Sequence, residues 1–442
     1  MPIDTPNQPN WLIRTKTNFK TAPLLPVHAE VYGAILLGQV ACGYTLGVAG
    51  TAFASAQSQL GFSDTWLGLL GAGSLIGLAG SAVMGRLADR FGRKRLLRGN
   101  MYLFALLAAL QFFFSSPLAL FLLRVGLGLM MAIDYTVGNA LLVEWLPKKH
   151  GAAKQTNLLI YWAVGFALSF AAGYLVPGWR WLLASSAIFG LVTAIFRTVV
   201  KLPASPAWLA SHGKPKAAQR VVTKRMGPRW RLPKQWFSLK PARQSSWTVL
   251  FSKRYWRGTL VGSAFYATQA FSFFGISIFL PLLLAKMGIG NQFFSGLLYN
   301  GALLGGNFLG IAVFNRVGRR PFLLTTFGLA TACLLAMGLL GTSQVTLLLA
   351  LFVVFALALS ASLLLDYAYT TELFDLKVRA TGVGFVIMMS RVGAAGGTFL
   401  LPLIVNRFGA AVTMLVCGLV LLAGTAVCAF FAPETNPQKQ TN

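Results

Sequence analysis

Acidic residues are scarce: 10 Asp plus Glu occur in 442 residues, against 38 Lys plus Arg. Charged residues of both signs make up 11%, where a soluble globular protein carries roughly 25%. So few charges cannot cover a chain that is 56% apolar, and an ordinary soluble fold is excluded. Only four cysteines are present, Cys42, Cys333, Cys417 and Cys428, each inside an apolar run and none spaced as a metal or redox pair. The three histidines, His28, His150 and His212, lie far apart, so no metal cluster is visible and no cofactor is expected. The first 29 residues lack the apolar core of a cleavable signal peptide, which leaves the N-terminus in the cytoplasm. A phosphate loop is also missing, because Pro215 follows Gly213 and Lys214; ATP-driven pumping is excluded, and no constellation of an enzyme appears.

What the chain has in quantity is apolar length. A membrane-spanning helix needs about 20 apolar residues. Segments of that kind fall near 31–55, 66–85, 101–115, 117–145, 156–176 and 179–200, then near 258–285, 292–314, 321–341, 345–371, 380–405 and 409–431. The expected fold is an all-α membrane protein with twelve transmembrane helices in two six-helix bundles. A net charge of +28 would suggest nucleic acid in a soluble protein, but here the basic residues lie between the apolar stretches, as in cytoplasmic loops. Nucleic acid is therefore not an expected partner. Residues 201–257 hold 14 Lys or Arg and no acid, which makes them a cytoplasmic linker in contact with anionic lipid. The loops on the other side hold only Arg180, Lys286 and Arg407, so the positive-inside rule is met. The organisation reads as a cytoplasmic tail (1–29), a bundle (30–200), the linker (201–257), a second bundle (258–431) and a cytoplasmic tail (432–442). Short tails and the absence of Asn-x-Ser/Thr sites fit a monomer in a bacterial inner membrane.

The two bundles echo each other. Arg90, Gly92 and Arg93 in "LADRFGRK" answer Arg316, Gly318 and Arg319 in "VFNRVGRR", a shift of 226. Glu144 in "LVEWLPKKHG" answers Glu372 in "TTELFDLKVRATG", a shift of 228, and Pro203 answers Pro433, a shift of 230. Each half has an even number of helices, so the repeats run parallel about an axis along the membrane normal.

The run Gly85, Arg86, Leu87, Ala88, Asp89, Arg90, Phe91, Gly92, Arg93, Lys94, Arg95 resembles the loop signature between helices two and three of the major facilitator superfamily. The segments 124–151, 202–218, 369–382 and 433–435 are similar to the sugar-porter and metabolite:proton symporter branch, which includes synaptic-vesicle-type relatives. The resemblance implies a transporter working by alternating access. It further implies that Asp89 partners the start of helix eleven and Arg124 of helix four, and that Glu144 and Glu372 form gating networks with Arg93, Arg319 and their neighbours Arg90, Arg316 and Arg379. The chain also departs from that branch. Where sugar porters carry Gly-Tyr-Asp in helix one it has Gly43, Tyr44 and Thr45, and Pro-Glu-Ser-Pro-Arg reads Pro203, Ala204, Ser205, Pro206, Ala207. Helix seven offers only Gln269 where paired Gln are usual, so a hexose is not the expected substrate.

A charge at the bilayer centre costs roughly 3 kcal/mol or more, which makes each one a functional candidate. Asp134 lies ten residues before Glu144, about 15 Å deep. By resemblance to phosphate-type relatives, Asp134 and Tyr135 match a pair that handles protons and substrate; the alternative is a structural hydrogen bond to a neighbouring helix. Arg391 lies twelve residues past Arg379, about 18 Å into helix eleven. It is placed either to bind a carboxylate or phosphate bidentately or to pair with polar groups at the bundle interface. Asp366 ranks below Asp134 as a proton site. Trp162, Gln269 and Asn300 join Tyr135 and Arg391 as candidate substrate contacts. The function expected is proton-coupled symport of a small organic solute, an organic anion or other metabolite, through Asp134. The alternatives are a proton-coupled drug or metabolite exporter and a non-transporting receptor; the Gly-Pro motif usual in helix five of antiporters is missing.

Overall fold

The computed structural model describes residues 17–233, 247–289, 292–314, 316–340, 345–375 and 378–435. The first half holds six spanning segments: Pro26–Leu60, Asp64–Phe91, Arg93–Leu110, Pro117–Trp145, Lys148–Leu175 and the broken helix Trp179–Val199. In the second half Trp256–Ile278 bends by 74° into Leu280–Lys286. Gln292–Phe314, Arg319–Leu340, and Val345–Ser362 with Leu365–Glu372 follow. The last helix, Arg379–Phe431, is two spans divided at Gly409, whose φ of 85° suits a residue without a Cβ. The described residues thus form twelve spans, six and six.

Backbone contact between helices falls where glycine removes the side chain, as expected in a lipid-solvated fold where van der Waals packing drives association. In the first half Gly165 of span five lies against the Val40 carbonyl of span one. In the second half Gly393 of span eleven lies against the Ala267 carbonyl of span seven. Gly165 and Gly393 are 228 residues apart, so the same packing joint is built twice, at the shift read from the motifs.

Span four is irregular. Its α-helix gives way at Asp134–Gly138 to one turn of π-helix before resuming at Asn139–Trp145. The extra residue re-aims the side chains on either side of it.

The described segment before span one, the described linker helices and the segment after span twelve gather at one end of the molecule, the basic face. There β1 (Thr17–Asn18) pairs parallel with β2 (Trp230–Arg231), and Phe19 packs with Ala210, Ala218 and Val222 of the linker helices Pro206–Ser211 and Pro215–Met226. Lys20 ties this unit to the end of span four, donating from Nζ to the carbonyls of Val143 (2.7 Å) and Leu146 (3.1 Å). At the opposite face the halves meet. Asn406 donates to Asp64 (2.8 Å), Phe170 stacks on Phe293 at 6.5 Å, and Gly50 lies against the Ile278 carbonyl.

Gly165→Leu and Gly393→Leu each drive a side chain into backbone and are expected to cost about 1–3 kcal/mol. The thermal unfolding midpoint in detergent should fall for both, while Gly99→Ala, which meets nothing within 4 Å, leaves it in place. Equal midpoints for all three would contradict this packing.

Candidate functional site

Midway along the spans both halves turn polar and aromatic residues into one cavity of about 540 Å³, including its open mouth. Gln39, Tyr135 and Trp162 come from the first half; Tyr266, Gln269, Phe273, Phe274, Asp366 and Arg391 come from the second. The π-turn in span four aims Tyr135 across the interface, where the Arg391 guanidinium stands 5.5 Å from its ring. Trp162 packs on Phe273 at 5.9 Å and meets Phe274 edge-on at 6.0 Å, which gives the cavity an aromatic wall.

Among the described residues, five buried polar atoms of the residues lining this cavity have no hydrogen-bond partner: Gln39 Nε2, Trp162 Nε1, Gln269 Oε1, Asp366 Oδ1 and Arg391 Nε. A buried polar group left unpaired costs roughly 1–3 kcal/mol, so native proteins seldom keep several together without something to bind. Tyr266 and Gln269 turn their polar groups toward the Asp366 carboxyl, and Arg391 acts on it as a nearby positive charge. Gln269 is itself held by Ser362, to which its Nε2 donates at 2.7 Å. The cavity thus offers one acid, one guanidinium and neutral donors and acceptors within an aromatic shell.

Of the residues singled out from sequence, Tyr135, Trp162, Gln269, Asp366 and Arg391 converge here. Asp134 does not line the cavity. Its fully buried carboxylate is paired with the equally buried Arg197 of span six and accepts from Asn100 Nδ2 at 2.5 Å. Arg197 also donates to the Ala34 carbonyl of span one from Nε (3.0 Å) and Nη2 (2.9 Å). The ranking of the two acids therefore changes: Asp366 faces the cavity, and Asp134 sits in a charge-balanced joint between helices. Asn300 is corrected too. It is buried and outside the cavity, with Nδ2 turned back onto the Gly296 carbonyl of its own helix (2.8 Å).

The loop motif also departs from expectation in part. Among the described residues, Asp89 has its ion pair with Arg93 at 3.9 Å. Arg124 cannot reach it, because it lies seven residues past Pro117, about 10 Å from the opposite-face end of span four. There its Nη1 donates to the carbonyl of Thr45 (3.1 Å), the threonine that stands where the sugar-porter branch carries an acid. Arg93 pairs with Glu144 and Arg319 with Glu372, the latter at 3.4 Å, and each pair stays within one half. Gly92 adopts φ 89° before span three, and Gly318 is packed against the Glu434 carboxylate. Arg379 donates to the Phe374 carbonyl (3.2 Å), Arg90 lies over Phe91, Arg316 is exposed, and nothing crowds Gly85.

A family model for "Sugar (and other) transporter" matches residues 31–440. The chain belongs to this family, within the major facilitator superfamily. It is 34% identical over 420 residues to the inner membrane metabolite transport protein YgcS of Escherichia coli, with 93% of each chain covered. Among solved structures it is similar to the xylose transporter XylE of E. coli in an inward-open conformation. That match has a TM-score of 0.77 and 16% identity, over 93% of this chain and 98% of that one. A D-xylose-proton symporter also matches, with a TM-score of 0.70 and 18% identity, over 92% and 98% of the respective chains. The protein is a membrane transporter of small molecules and not an enzyme.

Sequence reasoning missed Arg197, the aromatic wall of Phe273 and Phe274, and the inward turn of Tyr266. Arg197 carried a signal, since it lies inside "AIFRTVV", within the sixth apolar segment, with no other charge within three residues.

Breaking a buried pair from one side leaves a charge uncompensated, at about 3–5 kcal/mol. Asp134→Asn and Arg197→Met should each lower the thermal midpoint strongly, and the double variant should recover much of the loss. A double variant worse than either single would contradict the pairing.

Proposed function

We propose that this transporter is a proton-coupled symporter for a small organic anion with an aromatic or apolar body. It works by alternating access in a bacterial inner membrane, with the basic face in the cytoplasm. The observation that carries the reading is Arg391, a guanidinium with an unpartnered buried Nε in an aromatic cavity that also holds Asp366. Arginine suits a planar carboxylate, and Trp162, Phe273 and Phe274 suit a ring or a flat apolar body. The halves touch at the face away from the termini, which supports a state with its cavity open to the basic face.

Coupling follows from electrostatics. While Asp366 is charged it competes with an incoming anion for Arg391; once protonated it releases the guanidinium and no longer repels the anion. The proton and the anion therefore each bind better with the other present, a reciprocal linkage. A unit charge about 5 Å away at an effective dielectric of about 20 is worth about 3 kcal/mol, roughly a hundredfold in affinity. A second reading gives the coupling proton to Asp134, favoured by its place next to Tyr135 on the π-turn beneath Arg391.

The test is proton entry into proteoliposomes on adding monocarboxylates, aromatic acids, phosphate, sugars or amines. Anion-dependent proton entry is expected. Arg391→Gln should raise KM for the anion at least about tenfold, the scale of a charged hydrogen bond. Asp366→Asn should abolish coupled proton entry while solute exchange continues. Coupling kept in Asp366→Asn but lost in Asp134→Asn would select the second reading, proton exit coupled to solute entry would mark an exchanger, and movement of sugars or amines alone would overturn the proposal.

A further inference from the structure

Arg124 is a buried arginine that the solute cavity does not use. It sits on span four, closed off from solvent and packed against spans one and two. Its Nη1 donates to the Thr45 carbonyl, and its Cβ lies 2.8 Å from where a Cβ on Gly73 would stand. Its backbone is held too, since Ser74 Oγ donates to the Arg124 carbonyl at 3.1 Å. The Phe53 ring, 5.7 Å from the guanidinium, offers an aromatic face that softens the charge without balancing it. Nε and Nη2 form the remaining edge of the guanidinium, and among the described residues neither finds a hydrogen-bond partner. Thr45 Oγ1, equally buried, has none either.

Arginine keeps its charge when buried, and a buried charge is costly unless an opposite one meets it. Arg197 has Asp134, and Arg391 has Asp366 as its neighbour. For Arg124 the chain has no acid to spare. Of its ten acids, six are in ion pairs with other basic residues. Asp64 is held by Gln57 and Asn406, each at 2.8 Å, Glu434 accepts from the backbone at the start of span nine, and Asp366 lines the cavity. The tenth, Asp4, lies outside the described residues. A water molecule would satisfy the N–H groups of Arg124 but would leave its charge unbalanced.

An edge of two parallel N–H groups suits either the two oxygens of a carboxylate or one compact anion. Arg124, Thr45 and Phe53 are all fully enclosed, which favours the compact one. We propose that this edge of Arg124 holds a small inorganic anion, chloride, taken from solution as the counter-ion that the chain does not supply. The anion fastens span four to span one near the opposite face. Gly50, five residues beyond Thr45, is where span one meets the Ile278 carbonyl of the second half, so the bound ion steadies the helix on which that contact is built.

The experiment follows thermal unfolding of the purified full chain in detergent while potassium chloride replaces potassium gluconate at constant ionic strength, gluconate being too large for an enclosed site. A saturable rise in the midpoint is expected with chloride. Arg124→Gln removes the charge and should lose the rise. Thr45→Asp supplies a carboxylate from the chain itself; it should also lose the rise, and should reach in gluconate the midpoint that the parent reaches in chloride. That variant keeps the test decisive if Arg124→Gln does not fold. Arg391→Gln should keep the rise, because the ion is not held in the central cavity. No saturable rise in the parent, the result if water alone meets Arg124, would overturn the proposal. So would an unchanged rise in Arg124→Gln or Thr45→Asp, or loss of the rise in Arg391→Gln.

Discussion

A charge inside a bilayer must be neutralised, paired or put to use, and the fate of the few buried charges in this chain organises the rest of the structure. Asp134 and Arg197 neutralise each other between spans one, three, four and six, with Asn100 taking up remaining hydrogen bonds and the Ala34 carbonyl accepting from Arg197. Arg391 and Asp366 are not closed off in that way. They line a cavity between the halves, and among the described residues Asp366 Oδ1 and Arg391 Nε find no hydrogen-bond partner. One pair fixes helices and the other is available for chemistry, although both contain an acid and an arginine at membrane depth.

The duplicated frame makes that availability useful. Gly165 against Val40 and Gly393 against Ala267 hold each half as a unit, while contacts at the opposite face, among them Asn406 with Asp64, join one unit to the other. A rigid half can rock only if its side contacts break together, and the ion pairs at the basic face stay inside their own halves, so they do not hold the halves together at that end. The cavity lies between these two zones. Tyr135 meets Arg391 across the interface because a π-turn begins at Asp134 in the same span, which links the buried joint to the cavity by a single peptide bond.

The spans and the repeat were legible because they are written in period and spacing: twenty-residue apolar runs, and motifs displaced by 226 to 230 positions. Arg391, Tyr135, Trp162 and Gln269 were legible because polar residues are expensive in lipid. The rest needed geometry. No spacing rule tells which of two buried acids has a partner from a distant helix, so Asp134, paired with a residue 63 positions away, outranked Asp366. The expected Asp89–Arg124 contact failed on chain direction, since span four starts at the face away from Asp89. Asn300 was placed in the cavity because sequence does not tell which way a helix turns a side chain; its Nδ2 donates to the Gly296 carbonyl four residues back. The aromatic wall of span seven was missed because Phe carries no polar signal.

The central claim is that a proton and an anion share the Asp366–Arg391 site. Isothermal titration of the purified transporter with benzoate and a series of aliphatic monocarboxylates, repeated near neutral pH in buffers of different ionisation enthalpy, measures the protons taken up per anion bound. The account predicts an uptake of up to one proton for the acid that binds, and none for the same acid with Asp366→Asn. Binding of the anion with no proton uptake in the parent protein would contradict it.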